Sequence, residues 1–368
     1  MGNAKIQELV SPMFENPQNH TYLTKLLIET QGRVDSANYQ KLFAPILERM
    51  AKNPKADREQ LYRLGLILNA QSLSSHAVDL LSKEKSAANI KAVLPILMLN
   101  AKKNMEHIKA LAEDKSLSHS SRVEAMSAFL RANPKAAQSL VVSFFKGMTD
   151  TEKKSAVDRL SLSTQGTASL IKLLDQKVIS EDDFNFIAAT RVSEAARKNG
   201  TAKKLMKTWL ARKQDEDVKR AQRVEKIFKK STQLKGNSEV GHGLFQMCLE
   251  CHAVGDRGYS IAPALDGSAS RETHALLTAL LRPDVATEGG YELHRITRKN
   301  GTMVEGYLYS SNDIGVTIAT MGNQKVFIPR KEVRREAGVR GKSFMPALLD
   351  GMPEQNIIDL LTYIKTVK

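Results

Sequence analysis

The sequence predicts a mainly α protein, an N-terminal α-solenoid followed by a small, mostly helical domain that carries an antiparallel β insertion. Three observations predict it. Residues 1–231 place apolar side chains at helical spacing, as in Tyr22, Leu23, Leu26 and Leu27 and again in Leu61, Leu64, Leu66, Ile67 and Leu68, with little strand-like alternation. Turn chemistry interrupts this stretch at Asn53-Pro54, Asn133-Pro134 and Asn199-Gly200. Helix pairs then start near His20, Pro54, Ala87, His119, Thr151 and Glu181, roughly 30–34 residues apart, the period of helical repeat arrays. After residue 238 the texture changes, and 291–336 reads as strands.

Within the repeated region, the segment beginning Ser121-Arg-Val-Glu-Ala-Met and the one beginning Lys153-Lys-Ser-Ala-Val-Asp share a layout. In each, a first helix with Ala and Leu inward precedes a second built on Leu with Ile or Val. These segments resemble HEAT-like repeats. Such a pair cannot bury its apolar face alone, so stacking on neighbours supplies the core. The polar, Gly-containing stretch 232–238 reads as a linker to a second domain over 239–368. There, a short helix is expected over 239–251 and a second over 271–282, with Leu276, Leu277, Leu280 and Leu281 on one side and Pro283 ending it. Runs at 291–298 and 302–309 flank Asn300-Gly301, a strong hairpin signal. Ile314, Val316 and Ile318 alternate, as do Val326 and Ile328, with Gly322-Asn323 turning between the two runs. A last helix over 353–366 buries Ile357, Ile358, Leu361 and Ile364.

At 368 residues, 42% hydrophobic and 26% charged, the composition is that of a two-domain globular protein. No stretch approaches the ~20 apolar residues of a bilayer span, and the first residues lack an apolar signal core. The formal net charge of +15 is uneven, because from Gly236 onward 15 basic residues balance 15 acidic ones. Much of the excess lies in 196–235, where 14 basic residues face 4 acidic ones. A solvated helical face is the ordinary reading of such a run, and a docking surface for an acidic partner or anionic membrane face is the sharper one. Nucleic acid is not expected, since Trp209 and Phe228 are the only aromatics there and no binding motif accompanies them.

The only two cysteines lie three residues apart, in Cys248-Leu249-Glu250-Cys251-His252, the C-x-x-C-H pattern of c-type haem attachment. On a helix, residues three apart share a face, so both thiols can reach one porphyrin while His252 offers its imidazole from the same side. Alternatives at this point are a zinc site recruiting His242 or His274, a redox-active dithiol, or an inert pair.

The stretch from about Gly236 to the end resembles class I cytochrome c, and more narrowly the planctomycete/verrucomicrobial type of haem-binding domain. The matching residues are Gly243-Leu-Phe-Gln-Met-Cys-Leu-Glu-Cys-His252, Ile261-Ala-Pro-Ala-Leu265, Arg282-Pro283, Gly290-Tyr291, Ser343-Phe-Met-Pro346 and Asp359-Leu-Leu-Thr-Tyr-Ile364. The resemblance implies one covalent haem c on Cys248 and Cys251, with His252 and Met345 as iron ligands and the Pro263 carbonyl receiving the imidazole N–H. Met352 is the rival to Met345. Ala262 and Ala264 stand where the family usually has Gly and Asp, and Phe245 and Tyr363 match the aromatic positions where first and last helices cross. The β-rich block matches the narrower family, as a lid over one haem edge or a docking platform. Arg330, Lys331, Arg334, Arg335, Arg340 and Lys342 lead into the Met345 loop, where they could meet haem propionates or an acidic partner.

The implied function is relay of single electrons from a dehydrogenase, fused or associated and oxidising a sugar or alcohol, to a respiratory acceptor. No catalysis by the chain itself is expected. One alternative is a haem with a labile distal side that senses a small ligand or reduces peroxide, and another is a plain interaction protein. Haem attachment on the outer, oxidising side of the membrane implies a periplasmic or other extracytoplasmic location. The chain is then expected to be a shortened or processed form of an exported precursor.

Overall fold

The computed structural model describes residues 8–9, 11–13, 15–19, 21–23, 26, 36–53, 55–320 and 324–367. His20, Leu27, Pro54 and Gly322-Asn323 of the sequence reading lie outside the described residues. The protein is mainly helical with a small antiparallel sheet, as expected, and forms two compact units, Met1–Trp209 and Leu210–Lys368.

In the first unit the helices are α1 (Ser36–Lys52), α2 (Arg58–Ile67), α3 (Leu73–Lys83), α4 (Ala87–Met98), α5 (Met105–Glu113), α6 (His119–Ala132), α7 (Pro134–Lys146), α8 (Asp150–Leu160), α9 (Thr164–Asp175) and α10 (Phe186–Ala195), followed by the start of α11 (Gly200–Ser231). Local chemistry explains where they begin. Asp57, Ser86, Ser118, Asn133, Thr149, Ser163 and Asn185 each accept a first-turn backbone N–H, and Thr149 with Glu152 forms a reciprocal capping box. Each such cap is worth about 1 kcal/mol. Alternate helices pack on one another, α2 on α4, α4 on α6, α6 on α8 and α8 on α10. Leu61, Ile90, Val123, Val157 and Val192 belong to one continuous apolar core.

Polar contacts tie each helix pair to the next at the same sequence interval. Asn104 donates to Ser74 Oγ at 3.3 Å, Lys85 meets Asp114 at 2.6 Å, Arg159 meets Glu124 at 2.5 Å, and Arg191 meets Asp158 at 2.9 Å. The partners in these contacts are 29 to 35 residues apart, matching the interval at which the turns recur.

The units divide after Trp209, inside α11, whereas the sequence reading puts the division at 232–238. Ala202 and Leu205 belong to the first core, while Val224 and Ile227 belong to the core of the second unit. The helix itself runs through the division unbroken, and 232–238 is a turn joining two helices of one unit.

In the second unit, α12 (Ser238–Phe245) crosses α14 (Glu354–Ile364). A side chain at Gly241 would sit 2.1 Å from the Asp359 carbonyl oxygen, so glycine is what permits this approach. The crossing is filled by Phe245 and Tyr363, whose ring centroids are 5.1 Å apart. Helix α13 (Thr273–Leu281) adds Leu276, Leu277 and Leu281 to the same core.

Two sheets complete the unit. The short strands β1 (Ala253–Val254) and β2 (Arg257–Gly258) pair with each other. Strands β3 (Glu292–Arg298), β4 (Met303–Ser311), β5 (Gly315–Thr320), β6 (Gln324–Pro329) and β7 (Val333–Ser343) form an antiparallel sheet in the order β6-β5-β4-β3-β7. Gly301, at φ +87°, turns the β3–β4 hairpin as its Asn-Gly signal predicts. The insertion runs on to Ser343 rather than stopping near 336, because the charged run 330–342 includes an edge strand paired with β3. Charged residues suit an edge, where they discourage pairing with another chain.

Candidate functional site

The helix carrying the C-x-x-C-H motif stops earlier than its sequence suggests. Helix α12 ends at Phe245, and Gln246–Glu250 tightens into a 3-10 turn. Cys248 lies within this turn and Cys251 directly follows it. The Cys248 carbonyl accepts from the N–H of Cys251 at 3.2 Å and of His252 at 2.9 Å, closing the motif on itself.

The two thiols face different apolar surroundings. Cys248 packs against the cluster that contains Phe245, Leu277 and Leu349, and Cys251 against the one that contains Ile261, Ala262 and Tyr307. Burial pushes the Cys248 thiol up to about 11, with Cys251 adding to the effect, and burial also raises Cys251.

His252 is held by its Nδ1, 2.6 Å from the Pro263 carbonyl oxygen. A carbonyl can only accept, so Nδ1 carries the hydrogen and Nε2 keeps its lone pair. Burial lowers the imidazole pKa against the opposing pull of the Pro263 contact and Glu288, which favours the neutral ring a metal requires. The contact forms with Ala262 and Ala264 on either side of Pro263. Ala262 is buried, and its N–H bonds the Cys251 carbonyl at 2.9 Å.

The segment after β1 wraps this turn. Tyr259 donates to the Leu249 carbonyl at 3.1 Å, Ile261 to that of Cys251 at 3.2 Å, and Leu265 to that of Ala253 at 2.9 Å. Gly258 makes the wrap possible. Its φ is +80°, and a Cβ there would lie 2.2 Å from the His252 carbonyl oxygen. Nothing in the motif's spacing points to this glycine.

Met345 is half-buried and donates its backbone N–H to Ser343 Oγ at 3.1 Å. Its neighbour Phe344 packs against the same cluster as Cys251, and its ring stands edge-on to Tyr307 with centroids 4.9 Å apart. Tyr307 in turn meets Tyr291 at 5.4 Å, and burial pushes its phenol up to about 12. The β insertion therefore lays an aromatic floor against the Cys251 side of the motif. The rival Met352 packs against the cluster that holds Cys248.

The histidines a zinc site would need are engaged elsewhere. His242 lies against Tyr363, with centroids 5.0 Å apart, and His274 bonds Glu225 at 2.8 Å. Among the described residues, no three of His, Cys, Asp and Glu gather into a metal-holding group. Of the basic residues ahead of Met345, Arg330 meets Glu336 at 2.8 Å, and Lys342 meets Asp284 at 3.1 Å. Lys331, Arg334 and Arg340 are exposed.

Asp284, which sequence reasoning passes over, is a polar hub at the start of the Met345 loop. Its side chain is 6% exposed, and it takes Ser343 N–H at 2.9 Å, Lys342 at 3.1 Å and Lys213 at 3.3 Å. Comparison with known proteins returns no matching family model and no matching curated protein.

Proposed function

We propose that the unit Leu210–Lys368 is a mono-haem c-type cytochrome of class I form, and that Met1–Trp209 is a HEAT-like α-solenoid serving as its scaffold. The observation that carries the reading is the motif's geometry: two thiols on one tight turn, followed by an imidazole whose Nδ1 is fixed by the Pro263 carbonyl at 2.6 Å. That donor set fits a covalent haem and leaves zinc without its remaining ligands. Cys248 and Cys251 would hold the porphyrin, and His252 Nε2 and the Met345 thioether would be its iron ligands. Haem iron so held supplies one-electron cycling between Fe(III) and Fe(II), with no coordination position left for a substrate.

The rest follows from the chain's own residues. Pro263 orients His252 and fixes its tautomer. The apolar clusters around Cys248 and Cys251 lower the polarity at both attachment points, which favours the less charged oxidation state. Tyr307 and Phe344 seal the insertion side. The chain is then an electron relay rather than an enzyme, placed between a dehydrogenase donor and a respiratory acceptor on the extracytoplasmic side of a membrane. The alternating stack of α2, α4, α6, α8 and α10 supports the solenoid reading.

Expression with a cytochrome c maturation system tests it. The purified chain should carry one haem that survives acid-acetone extraction, with a ferric Met-to-iron charge-transfer band. Met345→Ala should abolish that band and lower the potential, while Met352→Ala should leave both unchanged. A chain without covalent haem, or a band that survives Met345→Ala, refutes the respective part.

A further inference from the structure

The 196–235 stretch is the most basic part of the chain, and an electron relay does not by itself account for it. In the structure, much of the charge on its second half is spent inside the molecule. Arg220 forks onto the Asp350 carboxylate at 3.1 and 2.6 Å. Arg223 donates to the backbone carbonyls of Leu349 at 2.8 Å, Asp350 at 2.7 Å and Met352 at 2.5 Å. Lys226 and Lys230 both reach Glu354, at 2.7 and 2.5 Å, at the first residue of α14. Lys213, further up the same helix, reaches Asp284.

These contacts converge on the two flanks of one short loop. On the upstream flank, Asp284 takes the Ser343 N–H, and Ser343 Oγ takes the Met345 N–H. On the downstream flank, the Arg223 guanidinium gathers three carbonyls within four residues, a geometry its planar fork suits. Between the flanks, the backbone bonds of Leu348 to Pro346 and Asp350 to Ala347 are local to the loop. A loop pinned at both ends by charge-assisted bonds opens only when those bonds are given up.

We propose that the basic face of α11, with Asp284, is a clamp whose strength sets how often the Met345 loop opens. Arg223 and Asp284 are thus positioning residues for the distal ligand. The inference rests on the haem reading above and adds a role for the helix that precedes the haem unit.

The test uses the full chain loaded with haem. Cyanide displaces a methionine ligand only after the loop opens, so at saturating cyanide the ferric binding rate reports opening. A charge-assisted hydrogen bond is worth about 1.5–3 kcal/mol, and each 1.4 kcal/mol is a factor of ten. Arg223→Met should therefore raise the limiting rate on the order of ten-fold or more, and Arg220→Gln several-fold. Amide exchange at 343–352 should quicken in the same order. Should Arg223→Met fail to fold, Arg220→Gln and the double variant Lys226→Gln/Lys230→Gln carry the same comparison. Limiting rates within two-fold of the parent in folded variants overturn the clamp. Met345→Ala separates this from failure of the underlying reading, since it should bind cyanide with no opening limit. If its limiting rate equals the parent's, Met345 is not the ligand and the clamp falls with it, and a parent lacking covalent haem sinks both.

Discussion

Replacing Gly258 by alanine measures how closely the chain must wrap the C-x-x-C-H turn. Two costs arise there. At φ +80° an L-residue pays roughly 1–2 kcal/mol for left-handed backbone. The added Cβ would also lie 2.2 Å from the His252 carbonyl and 3.1 Å from Leu249 Cδ2, and relieving such overpacking costs about 1–3 kcal/mol. Gly255, three residues earlier, separates the terms, since its φ is +56° but nothing lies within 4 Å of a Cβ built on it. Gly255→Ala should therefore show the backbone cost alone, and Gly258→Ala should exceed it by about 1–3 kcal/mol. For a unit of this size that excess is a further fall in Tm of about 2–4 °C per kcal/mol. Amide exchange at Tyr259, Ile261 and Ala262 should quicken in Gly258→Ala, because those N–H groups bond the Leu249 and Cys251 carbonyls. Equal destabilisation by the two substitutions, with unchanged exchange at these amides, would refute the close approach.

Other outcomes follow from single contacts. Arg295 and Glu305 face each other across β3 and β4 at 2.5 Å with side chains 1% and 10% exposed, so Glu305→Ala should destabilise the second unit by about 3–5 kcal/mol in urea unfolding. An apolar pair, Arg295→Met with Glu305→Leu, should restore most of that loss. Hydrogen bonds from Lys226 and Lys230 hold the Glu354 carboxyl down at about 2, so its contribution is present at neutral pH and is lost as pH falls from the ordinary glutamate range through about 2. Acid titration of Glu354→Gln should lack that component. Burial lifts the Tyr62 phenol to about 12, so its stabilising contribution is complete below pH 10 and is lost as pH rises through about 12. The tyrosinate absorbance of Tyr62→Phe should accordingly lose a late-titrating component.

What the sequence shows of this fold is what is decided locally. Asn133-Pro134 breaks α6 from α7 because one residue caps and the next starts a helix, and both properties belong to the residues themselves. Asn300-Gly301 announces its hairpin for the same reason. Strand β7 is hidden, because an edge strand bearing Arg334, Arg335, Glu336 and Arg340 lacks the apolar alternation that marks β5. The division inside α11 is hidden because one continuous helix, with no turn signal inside it, serves two cores. At the site, Cys248, Cys251 and His252 declare themselves by spacing, and Pro263 by resemblance. Asp284 and Arg223 do not, because Ser343 lies 59 residues from the first and Leu349 lies 126 from the second. Partners so far apart leave no mark in a window of sequence.

The ladder between β3 and β7 has a consequence for how such a unit can change. Glu292 pairs with Ser343, so the five-stranded block begins and ends at neighbouring points of one ladder. Paired residues in antiparallel strands lie about 5 Å apart, a gap that one or two residues can bridge. In connectivity, then, the whole block hangs from the chain by a narrow stem and could be trimmed, lengthened or exchanged without moving α13 or α14. Packing is less permissive, since Tyr307 and Ala319 cover Ile261, Ala262 and Cys251 from within that block. A graft at this stem would be free in its length and its distant loops, yet obliged to return an aromatic floor to the same place.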